Sequence, residues 1–209
     1  TLQIGGLTVQ QVGALTTTQV NAFSNTGIAG LSSVQVGGLT TTQVAGLSTT
    51  KFGALTSVEL GFLSVVQVAA INTTDIAALT TVQLGGLSSS QVGSLTTTQV
   101  NALANTVVAS LTLGQVSGLT AAQVAGLSTT KFGALSSSQL GAFADTQIAA
   151  ISTTDLAALT TLQLGGLAVS QVGALTTVQV ATLSATVVAS LTTLQIGGLT
   201  VQQVGALTT

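Results

Sequence analysis

The sequence predicts an all-α protein in which very short N-capped helices, one per octapeptide, are wound into a solenoid or superhelix. Three features of the repeat carry this prediction. An apolar residue, usually Leu, recurs every eighth residue from Leu7 to Leu207 with no insertion or deletion. The next residue is nearly always Ser, Thr or Asn, and the fifth is usually Gln, which is the spacing of a helix capping box. The last two residues of most octads are small.

The start of each octad has the residues that begin a helix. In the octad from Leu39, Thr40 is the predicted N-cap: its hydroxyl accepts from the backbone N–H of Gln43, whose side chain returns to the backbone N–H of Thr40. Leu39 and Val44 occupy the two positions that a hydrophobic staple joins. The predicted capping pairs also include Thr96 with Gln99 and Thr120 with Gln123.

The end of each octad has residues that stop a helix and permit close packing. Positions seven and eight are mostly Gly, Ala or Ser, as in Gly37-Gly38 and Ala45-Gly46. Glycine tolerates the left-handed conformation that closes many helices, so we expect it to end them here. Each octad then spans one to two helical turns. Such a helix is too short to be stable alone, because nucleation is costly, and it requires neighbours on both sides.

The apolar positions one and six predict the core. Its expected members include Leu39, Val44, Leu47, Leu95, Val100, Leu119 and Val124. A β-solenoid is the alternative, because Thr and Val favour strands. Leu39 and Val44 lie five residues apart and cannot face the same side of a straight strand, so that alternative needs a corner between them.

The composition argues against several classes of function. Charged residues make up 3% of the chain, and His and Cys are missing, which removes the commonest metal ligands and nucleophile–base pairs. We therefore expect no enzyme activity, no cofactor and no metal. Two basic residues cannot track a phosphate backbone, so nucleic acid is not an expected partner. Gln, Ser and Thr interrupt the apolar residues in every octad, so no transmembrane span is expected.

The rare charges occupy equivalent places in the repeat. Lys51, Asp75, Lys131 and Asp155 all take position five, and each lysine precedes its aspartate by three octads. We therefore hypothesise that three octads make one superhelical turn, so that Lys51 pairs with Asp75, and Lys131 with Asp155, on adjacent turns. Phe62 takes position eight, which is otherwise small, and is either a gap-filling residue or a surface contact.

Longer repeats are superimposed on the octad. Residues 45–55 recur ten octads later as residues 125–135, and residues 1–17 reappear as residues 193–209. No linker interrupts the pattern. We therefore expect residues 1–209 to form a single continuous octapeptide-repeat array, cut from a longer one.

The tandem form Leu-Ser/Thr-x-x-Gln-Val-Ala/Gly-x, present throughout the chain, resembles large repetitive bacterial proteins that are secreted or surface-exposed and often described as adhesin-like. The resemblance covers the full length and implies an extracellular or cell-surface location.

The repeat and the resemblance together favour a structural role. We expect a hydroxyl-rich, nearly uncharged solenoid that associates with copies of itself into a fibre, filament, sheath or surface layer. The alternative is a binding module that uses a regular Thr/Ser face to hold ice or a polysaccharide. A glycan or another surface ligand is then the partner.

Overall fold

The structure, a computed structural model, describes residues 4–207 and is helical throughout that range, with no strand in it. The all-α prediction is confirmed, and the β-solenoid alternative is wrong. After a short 3-10 helix, Ile4–Gly6, the α-helices are α1 Val9–Ala14, α2 Thr17–Ala22, α3 Asn25–Ile28, α4 Ser33–Gly37, α5 Thr41–Ala45, α6 Thr49–Phe52, α7 Ser57–Gly61, α8 Val65–Ala69, α9 Thr73–Ala77, α10 Thr81–Gly85, α11 Ser89–Ser94, α12 Thr97–Ala102, α13 Asn105–Ala109, α14 Leu113–Ser117, α15 Ala121–Ala125, α16 Thr129–Gly133, α17 Ser137–Gly141, α18 Asp145–Ala150, α19 Thr153–Ala157, α20 Thr161–Gly165, α21 Val169–Ala174, α22 Thr177–Ala181, α23 Ala185–Ser190, α24 Thr193–Gly197 and α25 Val201–Ala206.

The chain forms two compact units, one ending at Ser110 and the other beginning at Leu111. In the first unit each helix packs on the helix three octads away, which arranges the helices in three stacks. The first stack is α1, α4, α7, α10 and α13; the second is α2, α5, α8 and α11; the third is α3, α6, α9 and α12. The helices of the second unit pack at the same spacing, α14 on α17 and α15 on α18. Within each unit, three octads therefore make one turn of the solenoid, here called a coil.

The core consists of the apolar residues at positions one and six of the octad. The residues named for it from the sequence, Leu39, Val44, Leu47, Leu95, Val100, Leu119 and Val124, are all buried. Burying an aliphatic side chain of this size contributes about 1.5–3 kcal/mol. A five-residue helix cannot form alone, so this burial between coils is what stabilises it.

The helices do not end on left-handed glycines, which corrects the expectation from the sequence. No residue between 4 and 207 has a positive φ. The C-cap of α1 is Leu15, in an extended conformation with φ −66° and ψ 146°, and its N–H donates to the carbonyl of Val12. The turn is therefore made by ordinary extended backbone, and Leu15 itself is half-buried.

Glycine serves instead to let coils approach each other. A Cβ added at Gly86 would lie 2.0 Å from the carbonyl oxygen of Ser57, one coil earlier, and one at Gly166 would lie 2.4 Å from that of Ser137. No side chain fits at such distances. Gly85 and Gly165 precede these glycines, and an added Cβ there meets nothing within 4 Å. Position eight is thus the point of closest backbone contact in these coils.

Candidate functional site

The position-five glutamine forms the capping box within its own octad. The backbone N–H of Thr40 donates to Oε1 of Gln43 over 2.6 Å, and the N–H of Gln43 donates to Oγ1 of Thr40 over 3.2 Å. Thr96 with Gln99 and Thr120 with Gln123 have the same two hydrogen bonds. Where Ala144 is the N-cap, only the bond from its N–H to Gln147 is formed.

The other end of the same glutamine side chain joins one coil to the preceding coil. Gln43 Nε2 donates to the carbonyl oxygens of Leu15, over 2.6 Å, and Val12, over 2.8 Å. In both units, position-five glutamines donate to the carbonyl 28 residues earlier, as Gln43 does to Leu15. The donor and acceptor pairs include Gln35–Leu7, Gln67–Leu39, Gln83–Leu55, Gln91–Leu63, Gln99–Ile71, Gln139–Leu111, Gln147–Leu119, Gln171–Phe143, Gln179–Ile151 and Gln203–Leu175. We call this set the glutamine ladder.

The glutamine ladder satisfies backbone carbonyls that the coils would otherwise bury without a partner. The side chain of Gln43 is 2% exposed, and Gln91 and Gln99 are also buried. A buried carbonyl without a hydrogen bond costs about 1–3 kcal/mol. One carboxamide therefore caps a helix with its oxygen and holds the preceding coil with its nitrogen.

The ladder is interrupted in the third stack of the first unit, where position five is Gly27, then Lys51, then Asp75. Here the predicted ion pair is wrong: Lys51 Nζ donates to Oδ1 of Asn25 over 2.8 Å, toward the preceding coil rather than toward Asp75. Asp155 accepts a hydrogen bond from the Ser152 hydroxyl in its own octad, and the Lys131–Asp155 pair stays a prediction. The three-octad spacing identified the coil, but not these contacts.

Asn21 replaces the capping acceptor that Lys51 lacks. Its Oδ1 accepts from the backbone N–H of Ser48 over 2.8 Å, and its Nδ2 donates to the carbonyl of Gly46 over 2.7 Å. Position seven is otherwise mostly Gly, Ala or Ser, so an asparagine at this position was a sign in the sequence that its side chain has a special role. The same pair of residue types recurs ten octads later as Asn101 and Lys131.

Replacing Asn21 by alanine should lower the free energy of unfolding by about 1–2 kcal/mol, because Ser48 loses its only cap acceptor. Lys51→Gln should remove most of this cost, since a glutamine there supplies its own acceptor to Ser48. Urea unfolding of the two single variants and the double variant gives the coupling energy. If the changes in unfolding free energy of the two single variants simply added in the double variant, Asn21 would not be acting in place of a position-five cap.

The buried aspartates use a different local arrangement. Asn72 Nδ2 donates both to Oδ2 of Asp75, over 2.7 Å, and to the carbonyl of Ala45 in the preceding coil, over 3.2 Å. The asparagine thereby takes over the inter-coil donor that position five has lost. Oδ1 of Asp75 is buried and has no hydrogen-bond partner among the described atoms.

The exterior carries very little charge. Of the six charged side chains, Glu59, Asp75 and Asp155 are at most 5% exposed, and Lys51 and Lys131 are half-buried. Asp145 is exposed. Residues 4–207 contain no group of three or more Asp, Glu, His or Cys side chains that would suit a metal ion. None of the short helices in that range has the length and apolar composition to cross a membrane.

Two kinds of regular row lie on the outside of the first unit. In the third stack, position four is Thr26, Thr50, Thr74 and Thr98, all exposed. In α4, α7 and α10 of the first stack, the same position is Val34, Val58 and Val82, which are 60%, 62% and 71% exposed. Phe62 follows Val58 by four residues and is 55% exposed, so it is a surface residue and not a gap filler. Val65 and Val66, in the second stack, are exposed as well.

Stacked octads, a buried glutamine ladder and a repeating hydroxyl exterior define a helical tandem-repeat protein of the solenoid class. The model of the ALTTAQ repeat matches residues 20–49, 68–105 and 148–185, together just over half of the chain. The chain belongs to the ALTTAQ repeat family. No curated protein matches it significantly.

Proposed function

We propose that the protein is a structural, non-catalytic repeat protein of the cell exterior that associates with copies of itself into a fibre, sheath or surface layer. The supporting observation is the nearly uncharged exterior. Burial of Glu59, Asp75 and Asp155 leaves even fewer charges in contact with solvent than the sequence contains. Charge repulsion, which keeps many proteins monomeric, is correspondingly weak.

The proposed self-association depends on the regular geometry of the repeat. Most octads present the apolar residues of positions one and six to the core and many hydroxyls to solvent, and the glutamine ladder fixes each coil on the preceding one. A surface of Thr, Ser and small residues offers hydrogen-bonding groups without the cost of removing water from charges. Repetition of the same weak contact along two copies strengthens their association by multivalency.

Sedimentation velocity over a wide concentration range tests this proposal, with electron microscopy of the most concentrated sample. We expect the sedimentation coefficient to rise with concentration, and association to be little changed by sodium chloride in the range that screens charges. A single monomeric species at every concentration, with no filaments or layers in the images, would contradict self-association.

A second candidate is a binding module for ice or a polysaccharide, which the threonine row of the third stack favours. Thr50, Thr74 and Thr98 recur once per coil, and Thr49 and Thr73 lie beside the first two of them. Thermal hysteresis or ice shaping by the monomer, lost in the triple variant Thr50→Lys, Thr74→Lys and Thr98→Lys, would support it. Freezing behaviour and polysaccharide retention equal to those of an inert protein would exclude it.

A further inference from the structure

An exposed aliphatic ridge is confined to the first unit. The side chains of Val34, Val58 and Val82 project from α4, α7 and α10, which pack on one another in the first stack. Stacked helices lie about 8–10 Å apart, so the three valines form a row with that spacing. We call these three residues, with Phe62, the valine ridge. Val65 and Val66, which begin α8 shortly after Phe62 in the chain, are also exposed.

The equivalent positions in the second unit do not form such a row. Leu162, Val178 and Leu194 also occupy position four and are 77%, 66% and 74% exposed. Successive members are separated by two octads and not three, so each lies in a different stack. Exposed aliphatic residues at position four are therefore present in both units, but only the first unit aligns three of them in successive coils.

We propose that the valine ridge is the surface on which a second copy of this chain docks, ridge against ridge, about a two-fold axis. This inference rests on the self-association proposed above and names its interface. An isologous contact of this kind presents the same patch from both copies, and Val58, the middle row member, then faces Val58 of the second copy.

The charge distribution favours a second copy over a charged partner. Helices α4, α7 and α10 carry one charged residue, Glu59, which is 5% exposed and bonded to the N–H of Thr56. The ridge offers no exposed charge to complement a basic or acidic partner, whereas an identical uncharged ridge meets it without desolvating an ion.

The period of the ridge also favours a second copy. Its members recur once per coil, and a second copy repeats at the same interval, so with Val58 facing Val58 the outer members Val34 and Val82 of one ridge face Val82 and Val34 of the other.

The size of the ridge predicts a weak contact. The four side chains of the valine ridge, together with those of Val65 and Val66, present on the order of 500 Å², comparable with the largest apolar patches on monomeric proteins. A standard interface buries about 800 Å² from each partner. The ridge alone therefore supports a reversible dimer rather than a permanent one.

The test uses the full chain and replaces the ridge residues by those of other octads, namely Val34→Thr, Val58→Thr and Val82→Thr together with Phe62→Ala. The matched control carries Leu162→Thr, Val178→Thr and Leu194→Thr, which removes as much exposed aliphatic surface without a ridge. Circular dichroism establishes that both variants remain helical. We expect the dimer dissociation constant to rise at least tenfold in the ridge variant and to change less than threefold in the control.

Three outcomes separate the interface from the function. Loss of association in the ridge variant alone supports the proposal. Equal association of all three proteins overturns the interface and leaves self-association in place, and a monomeric parent protein overturns both. Orientation has its own test: the single variant Val58→Cys should form an intermolecular disulfide on oxidation, and Leu162→Cys should not. The reverse pattern would overturn the two-fold arrangement.

Discussion

Replacing Gly86 by alanine should lower the free energy of unfolding by about 3 kcal/mol or more, because the new Cβ would lie 2.0 Å from the carbonyl oxygen of Ser57. That oxygen belongs to the backbone of the preceding coil, so no side-chain rotation relieves the contact. The two coils have to separate, which also strains the ladder bond from Gln83 to the carbonyl of Leu55. Gly166→Ala, with its Cβ 2.4 Å from the carbonyl oxygen of Ser137, should behave alike in the second unit.

The neighbouring glycines supply the control. Gly85→Ala and Gly165→Ala place a Cβ where nothing lies within 4 Å, at the last residue of α10 and α20. Alanine there should be neutral or stabilise the protein by up to about 1 kcal/mol, because it restricts the unfolded chain more than glycine does. Chemical denaturation of the four variants provides the comparison. Similar effects at both members of a pair would mean that position eight is not a point of coil contact.

Replacing Gln91 by glutamate should cost about 2–4 kcal/mol, because the buried side chain would lose the donor to the carbonyl of Leu63 and place a negative oxygen beside it. Gln91 Nε2 donates to the carbonyls of Leu60, over 3.1 Å, and Leu63, over 2.6 Å, while Oε1 accepts from the N–H of Ser88. A carboxylate preserves the bond to Ser88 but directs a negative oxygen at two carbonyl oxygens. Urea unfolding of the variant and the parent protein measures the difference.

Gln11→Glu is the matched control for this change. Gln11 caps Thr8 in the same way, over 2.8 Å, but it is exposed, and no described carbonyl accepts from its Nε2. We expect a change within about 0.5 kcal/mol, since an acidic group near a helix N-terminus is favourable. Glu59→Gln is the reverse experiment and should stabilise the protein by about 1 kcal/mol, by adding the missing inter-coil donor. Equal costs at positions 11 and 91 would show that capping alone explains the glutamine.

Much of the fold follows from the octad. Thr40, Gln43, Leu39 and Val44 fix a helix start and its buried face through local geometry, and a local pattern can be read without knowing the packing. The number of octads per coil was suggested by the spacing of Lys51 and Asp75. That clue gave the period although the ion pair itself does not form, because both residues replace a ladder glutamine at the same position of successive coils.

What the octad did not reveal depends on contacts between coils. A glutamate satisfies a capping box as well as a glutamine does, yet glutamate occurs once at position five and glutamine in most octads. The preference for glutamine indicates that the amide N–H of position five is needed as a donor. The structure gives the reason, because each ladder glutamine donates to a carbonyl of the preceding coil. Likewise, the glycines suggested helix ends, whereas they provide room for a neighbouring backbone. The exposure of Phe62 also depends on packing between octads, which its own octad does not specify.

A single disulfide tests the stacking of coils most directly, since the chain has no cysteine of its own. A Cβ placed at Gly46 lies 3.5 Å from the Cβ of Thr17 in the preceding coil, a separation that a disulfide spans. The variant Thr17→Cys with Gly46→Cys should therefore oxidise quantitatively to an intramolecular disulfide and raise the unfolding midpoint. The companion Thr17→Cys with Ala54→Cys, one octad out of register, should stay reduced. If the first pair kept free thiols in a helical, folded protein, or the second pair closed as readily, coils of three octads would be contradicted.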